Sequence, residues 1–66
     1  MIGDRIKELR KDKNISQKAL GQKIGVSQKA IDYWERGVNE PKASYIISLA
    51  DFFGVSADYL LGIKED

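Results

Sequence analysis

The sequence has no cysteine and no histidine. That excludes disulfides, thiolate and imidazole metal ligands, and the zinc sites built from them. The usage fits a reducing cytoplasm, where the chain is expected to work. There is a single proline, Pro41. No apolar run approaches the ~20 residues that a membrane-crossing helix needs. Met1-Ile2-Gly3-Asp4 lacks the basic and then apolar character of a signal peptide. Sixty-six residues make one small domain, of a size that is marginal but workable without staples.

The net charge of +1 says nothing about partners, but its distribution does. Residues 1–42 hold ten Lys/Arg against six Asp/Glu, a balance of +4. Residues 43–66 hold one Lys against four Asp/Glu, a balance of −3. A basic front and an acidic back suit a protein with one side turned to a polyanion.

Residues 16–37 organise the rest. Ser16 is a good N-cap, and Ala19, Leu20 and Ile24 give the helix after it one apolar stripe. Gly25 stops that helix, because glycine takes the left-handed conformation without a Cβ clash. Val26 is the apolar residue of the turn. Ser27 caps a second helix and Gly37 closes it. Helix, short glycine turn, helix is the helix-turn-helix arrangement.

Around this unit the spacing predicts three more helices. Ile2, Ile6 and Leu9 recur at helical intervals and predict a helix over 4–13, with Asp4 near its start, basic residues near its end and Asn14 as its stop. The unit itself gives helices over 17–24 and 28–36. Gly21 inside the former costs ~1 kcal/mol against alanine, and a methyl there is expected to stabilise if it fits. Pro41 keeps the 38–42 segment a loop. Ile46, Leu49, Ala50 and Phe53 line the inner face of a helix over 43–53, flanked by Tyr45, Ile47 and Phe52. Gly54 ends it, Ser56 caps a fifth helix, and residues 63–66 are expected to fray. The fold class is all-α: a compact five-helix bundle, one domain over 1–66, without strands or repeats.

The matching pieces are Ser16-Gln17, Leu20, Lys23-Ile24-Gly25-Val26-Ser27-Gln28, Ile31 and Trp34-Glu35-Arg36-Gly37. Glu40-Pro41, Leu49-Ala50, Gly54-Val55-Ser56 and Asp58-Tyr59-Leu60-Leu61-Gly62 continue them. Together these resemble the Cro/repressor-type helix-turn-helix family of bacterial and phage regulators, over nearly the whole chain. The resemblance implies a lambda-repressor-like domain that binds duplex DNA sequence-specifically. It implies a transcriptional repressor or regulator, a homodimer on a near-palindromic operator, with the third helix in the major groove. No cofactor, metal, membrane or small-molecule substrate is expected, and no catalysis.

On the third helix, Ile31 and Trp34 face inward while Lys29, Asp32, Tyr33 and Arg36 face out, with Gln28 beside them at the first turn. Gln28 can pair bidentately with adenine, Lys29 can donate to guanine, and Tyr33 can touch a thymine methyl or a phosphate. Gln17, at a helix N-terminus, suits a phosphate, as the resemblance also implies. Ser27, Arg36, Asn39 and Lys42 complete the expected DNA-facing set, with Lys11 and Lys18 as further phosphate contacts. Asp32 departs from the pattern. A carboxylate beside phosphates must point at a cytosine amine or pair with Lys29 or Arg36. The resemblance further implies a structural salt bridge between Arg10 and Glu35. Glu35 has no second carboxylate, nucleophile or histidine with it, which argues against catalysis.

A five-helix core leaves Phe52, Leu61 and Ile63 in excess. The resemblance places a two-fold contact near the fifth helix. A weak dimer interface of Phe52, Leu61 and Ile63, with Tyr59 or Val55 at its edge, is expected to assemble on the operator; the alternative is that Phe52 and Leu61 fold back onto the core. The chain is expected to be either a complete small regulator or the DNA-binding part of a longer repressor. A protein-interaction module of the same fold, antitoxin-like or adaptor, and a structural helical domain inside a larger assembly are the alternatives.

Overall fold

The structure is a computed structural model, and it describes residues 1–65. Five helices follow one another: α1 (Ile2–Asp12), α2 (Gln17–Ile24), α3 (Gln28–Arg36), α4 (Ala43–Phe53) and α5 (Ala57–Leu60). No strand occurs among the described residues. Asp66, the last residue of the segment expected to fray, lies outside them.

Serine starts three of these helices, and for one reason. The hydroxyls of Ser16, Ser27 and Ser56 each accept from the backbone N–H three residues on, at 3.0 Å. Each satisfies a donor that the first helical turn leaves without a partner. The helix ends are equally uniform. Asn14, Gly25, Gly37, Gly54 and Gly62 have positive φ. The residue after each one donates its N–H to the carbonyl five positions back: Ile15 to Arg10, Val26 to Gly21, Val38 to Tyr33, Val55 to Ala50 and Ile63 to Asp58. That is the bond of the Schellman stop, and a β-branched aliphatic residue follows the left-handed residue every time.

The core takes one fully buried side chain from each helix: Ile6, Leu20, Ile31, Leu49 and Leu60. Ile2, Trp34, Ala50 and Phe53 close around them. Each fully buried aliphatic side chain contributes on the order of 1.5–3 kcal/mol. Trp34 also meets Tyr45, with ring centroids 5.6 Å apart.

The first helix corrects the expected boundary. It begins at Ile2, two residues earlier than the spacing predicted, and Met1 supplies no side-chain cap. The cause is Gly3, which is buried under the end of α3. A Cβ on Gly3 would stand 2.3 Å from the Trp34 carbonyl oxygen. The absent side chain lets the first turn of α1 pack directly against the end of α3.

Gly21 corrects a second expectation. A methyl there has no room, because its Cβ would lie 2.6 Å from the Val26 carbonyl oxygen and 3.3 Å from Ser27 backbone atoms. The turn between α2 and α3 rests directly on this bare stretch of helix. Residues 63–65 follow α5 and its Gly62 stop. Ile63 and Lys64 donate to the Asp58 carbonyl at 2.8 and 3.3 Å, and Lys64 and Asp58 pair at 3.8 Å.

Candidate nucleic-acid interface

The start of α2 and the start of α3 stand side by side, joined by the Gly25 turn. Gly25 and Val26 both donate to the Gly21 carbonyl, at 2.7 and 2.9 Å, which folds the turn tightly onto α2. Between the two helix starts is an open hollow lined by Gln17, Ser27, Gln28, Lys29 and Asp32. Gln28 and Lys29 are exposed. Thus five of the nine residues expected to face DNA share one concave surface.

A further turn along α3, Tyr33 is half-buried between two cations. The Lys29 ammonium lies 5.5 Å from its ring centroid and the Arg36 guanidinium 5.4 Å. Such contacts hold long basic side chains near a ring that is itself on the outward face. Asn39 and Lys42 are exposed in the segment between α3 and α4 and do not line the hollow. Asn39 instead lines a separate cleft of about 260 Å³ between the start of α1 and the end of α3, together with Trp34, Gly37 and Glu40.

Behind the outward face runs a continuous polar chain. Arg10 on α1 donates to both oxygens of Glu35 on α3, Nε to Oε2 at 2.6 Å and Nη2 to Oε1 at 3.0 Å. Its remaining arm donates to the Ile15 carbonyl at 2.9 Å. The hydrogen bond to Glu35, and then the charge of that carboxylate, raise the Arg10 pKa against the opposing effect of burial. Gln17 Nε2 donates to Glu35 Oε1 at 3.1 Å and to Asp32 Oδ1 at 3.3 Å. Only the NH₂ end of the amide suits two carboxylate neighbours, so its orientation is fixed by chemistry. Arg36 donates Nε to Asp32 Oδ2 at 2.9 Å, and its Nη2 lies 2.9 Å from the same oxygen. Asp32 therefore takes Arg36 as its partner, one of the two pairings open to it in the sequence.

Sequence reasoning missed one feature here. The inward commitment of the Gln17 amide depends on carboxylates fifteen and eighteen residues away. No local pattern announces it. At Gly21 the need for a small residue was legible from the close approach of α2 and α3 near the turn, but not that even a methyl is too large.

At the other end, the expected dimer residues divide. Phe52 is half-buried and packs edge-on against Phe53 at 5.2 Å, with the Lys13 ammonium 5.6 Å from its ring centroid. It belongs in part to the core. Tyr59 is half-buried under the Arg5 guanidinium, 4.1 Å from the ring centroid, and Val55 is half-buried too. Leu61 and Ile63 are 44% and 69% exposed, and they are the apolar surface left at this end.

Five short helices, a serine-capped and glycine-turned helix pair, and a polar outward face on the second of that pair define a helix-turn-helix domain. The helix-turn-helix family model matches residues 6–60, and the chain belongs to that family. It is 43% identical over 61 residues to Repressor protein C2 of Salmonella phage P22, covering 92% of this chain and 28% of that protein. It is 31% identical over 64 residues to the transcriptional regulator ImmR of Bacillus subtilis, covering 97% of this chain and 50% of that one. The chain thus spans half or less of the length of these two relatives. The crystal structure of the P22 c2 repressor with a synthetic operator superposes with a TM-score of 0.91 at 41% identity, over 97% of both chains. No helix among the described residues is long and apolar enough to cross a membrane.

Proposed function

We propose that this chain binds duplex DNA sequence-specifically as a repressor-type transcriptional regulator in the cytoplasm. The observation that carries the reading is the outward face of α3. Gln28 and Lys29 stand exposed beside the hollow, and Tyr33 stands one turn on. They sit in the fold that the P22 c2 repressor presents to its operator. A helix fits the major groove, and its first polar residues reach base edges there. Gln28 is placed to pair with adenine, Lys29 to donate to guanine, and Tyr33 to meet a thymine methyl.

The positive end of α2 suits a phosphate, and Ser27, Asn39 and Lys42 add positioning contacts along the backbone. Two copies on a near-palindromic site would place two α3 helices about one duplex turn apart. Leu61 and Ile63 supply the apolar surface for that two-fold contact. The chemistry requires no cofactor and includes no catalysis.

The test is selection from a random duplex pool, followed by binding of the selected site in a salt titration. A recovered near-palindromic consensus, with affinity that falls as salt rises, is the expected result. One observation favours a protein-interaction module instead: the Asp32–Arg36 pair makes part of the outward face charge-neutral. That reading predicts no shift of any duplex by the chain alone.

A further inference from the structure

Asp32 holds the two groups nearest to it that the outward face would otherwise offer to phosphates. Gln17 has two amide protons, and both are engaged, one by Glu35 and one by Asp32. The amide end left over is its oxygen, an acceptor that a phosphate repels. Arg36 is held by two contacts to one Asp32 oxygen, both at 2.9 Å. The pair is spaced i, i+4 and partly exposed, so its own stabilising effect is small. Its electrostatic effect near DNA is not small. If Arg36 swings onto a phosphate, the Asp32 carboxylate stays behind on the same face and offsets it.

We propose that Asp32 is a positioning residue that restrains non-specific DNA binding, by neutralising Arg36 and keeping the Gln17 amide turned inward. The inference rests on the DNA-binding reading above. Non-specific affinity comes almost wholly from cations meeting phosphates, whereas sequence is read by base-edge contacts. A carboxylate that cancels one cation beside the reading residues lowers affinity for every sequence. It leaves the Gln28 and Lys29 contacts untouched, because neither residue bonds to it. The ratio of specific to non-specific binding stays with the base contacts, and what falls is the absolute hold on random-sequence DNA.

The arrangement makes an unusual demand on two substitutions. Asp32→Asn keeps the size and one acceptor oxygen, enough for one of the two neighbours, and it removes the charge; the site is partly exposed, so the fold is retained. Non-specific affinity should then rise several-fold. The slope of log K against log salt should steepen by about 0.9, the increment for one more neutralised phosphate. Between about 50 and 200 mM salt that increment alone costs about 3.5-fold in affinity. Arg36→Ala in the unaltered chain should leave the slope nearly unchanged, since its charge is already cancelled. In the Asp32→Asn background the same change should remove the added increment.

The experiment measures fluorescence anisotropy of a random-sequence duplex against the full chain and these three variants, across that salt range, with thermal melts alongside. A purely structural role for Asp32 would shift the melts and leave the slopes parallel. Parallel slopes for Asp32→Asn and the unaltered chain overturn the inference. A slope that falls by about one unit on Arg36→Ala alone overturns it as well. An unaltered chain that binds no duplex at low salt overturns the DNA-binding reading and, with it, this one.

Discussion

Arg10 and Glu35, twenty-five residues apart, lie face to face with two parallel hydrogen bonds, and the Glu35 side chain is only 2% exposed. The pair ties α1 to α3, the helix that bears Gln28, Lys29 and Tyr33. Arginine suits this place because its planar fork matches both carboxylate oxygens at once. Breaking it from one side strands a buried charge. Arg10→Met is expected to cost about 3 kcal/mol of unfolding free energy. The Gln17 bond to Glu35 remains and limits the loss. Arg10→Met combined with Glu35→Leu should cost less than the single change. Urea denaturation of all four members of the cycle measures the coupling, and zero coupling would show that the pair does not form in solution.

Gly21→Ala should lower the melting temperature, despite the ~1 kcal/mol that alanine gains over glycine in a helix. The new methyl would meet the Val26 carbonyl at 2.6 Å, and backbone cannot step aside as a side-chain end can. Overpacking of this kind costs about 1–3 kcal/mol. Gly3→Ala should be worse, because its nearest neighbour is the Trp34 carbonyl at 2.3 Å. Thermal melts decide both; an unchanged or raised melting temperature for either would mean the helices can move apart at no cost.

Gln28→Ala should lose about 1–3 kcal/mol on the selected site and almost nothing on random duplex. Gln28 is exposed at the first turn of α3, so folding stability should not move. Competition binding with the two duplexes separates the cases. An equal loss on both would mean that Gln28 contacts the backbone and reads no base.

Leu61→Glu and Ile63→Lys should leave the melting curve nearly unchanged and keep binding to a single half-site. The extra affinity for a full palindrome should disappear. Phe52→Lys serves as the contrast. Its ring is half-buried against Phe53, so this change should lower stability as well. If the Leu61 and Ile63 variants bind the palindrome as tightly as the original chain, the two-fold contact lies elsewhere.

The helix limits were legible where their signals are local. Ser16, Ser27 and Ser56 cap within three residues, and Gly25, Gly37 and Gly54 stop a helix where they stand. The bounds of α2 and α3 and the end of α4 match the spacing for that reason; the start of α4 has no side-chain cap and follows Pro41. A stronger local signal is also present: Asn14-Ile15, Gly25-Val26, Gly37-Val38, Gly54-Val55 and Gly62-Ile63 repeat one stop five times. What the sequence could not announce depends on other helices. The early start of α1 needs the end of α3, and the tightness at Gly21 needs the turn after it. Phe52 was placed with the surface because its helical position flanks the inner face; its half-burial comes from Phe53 and the core around it.

The five fully buried side chains, one per helix, leave the DNA-facing pair without an independent existence. Only Leu20 and Ile31 belong to α2 and α3; the rest of their support comes from α1, α4 and α5. A four-residue helix at the far end of the chain, through Leu60 alone, therefore shares in holding the hollow together. Truncating Leu60 to alanine removes about 2–5 kcal/mol from a domain of a size that has little to spare. The Leu60→Ala chain is therefore expected to be heat-sensitive through a residue far from the outward face of α3: folded in the cold and unfolded on modest warming, with no residue of that face changed.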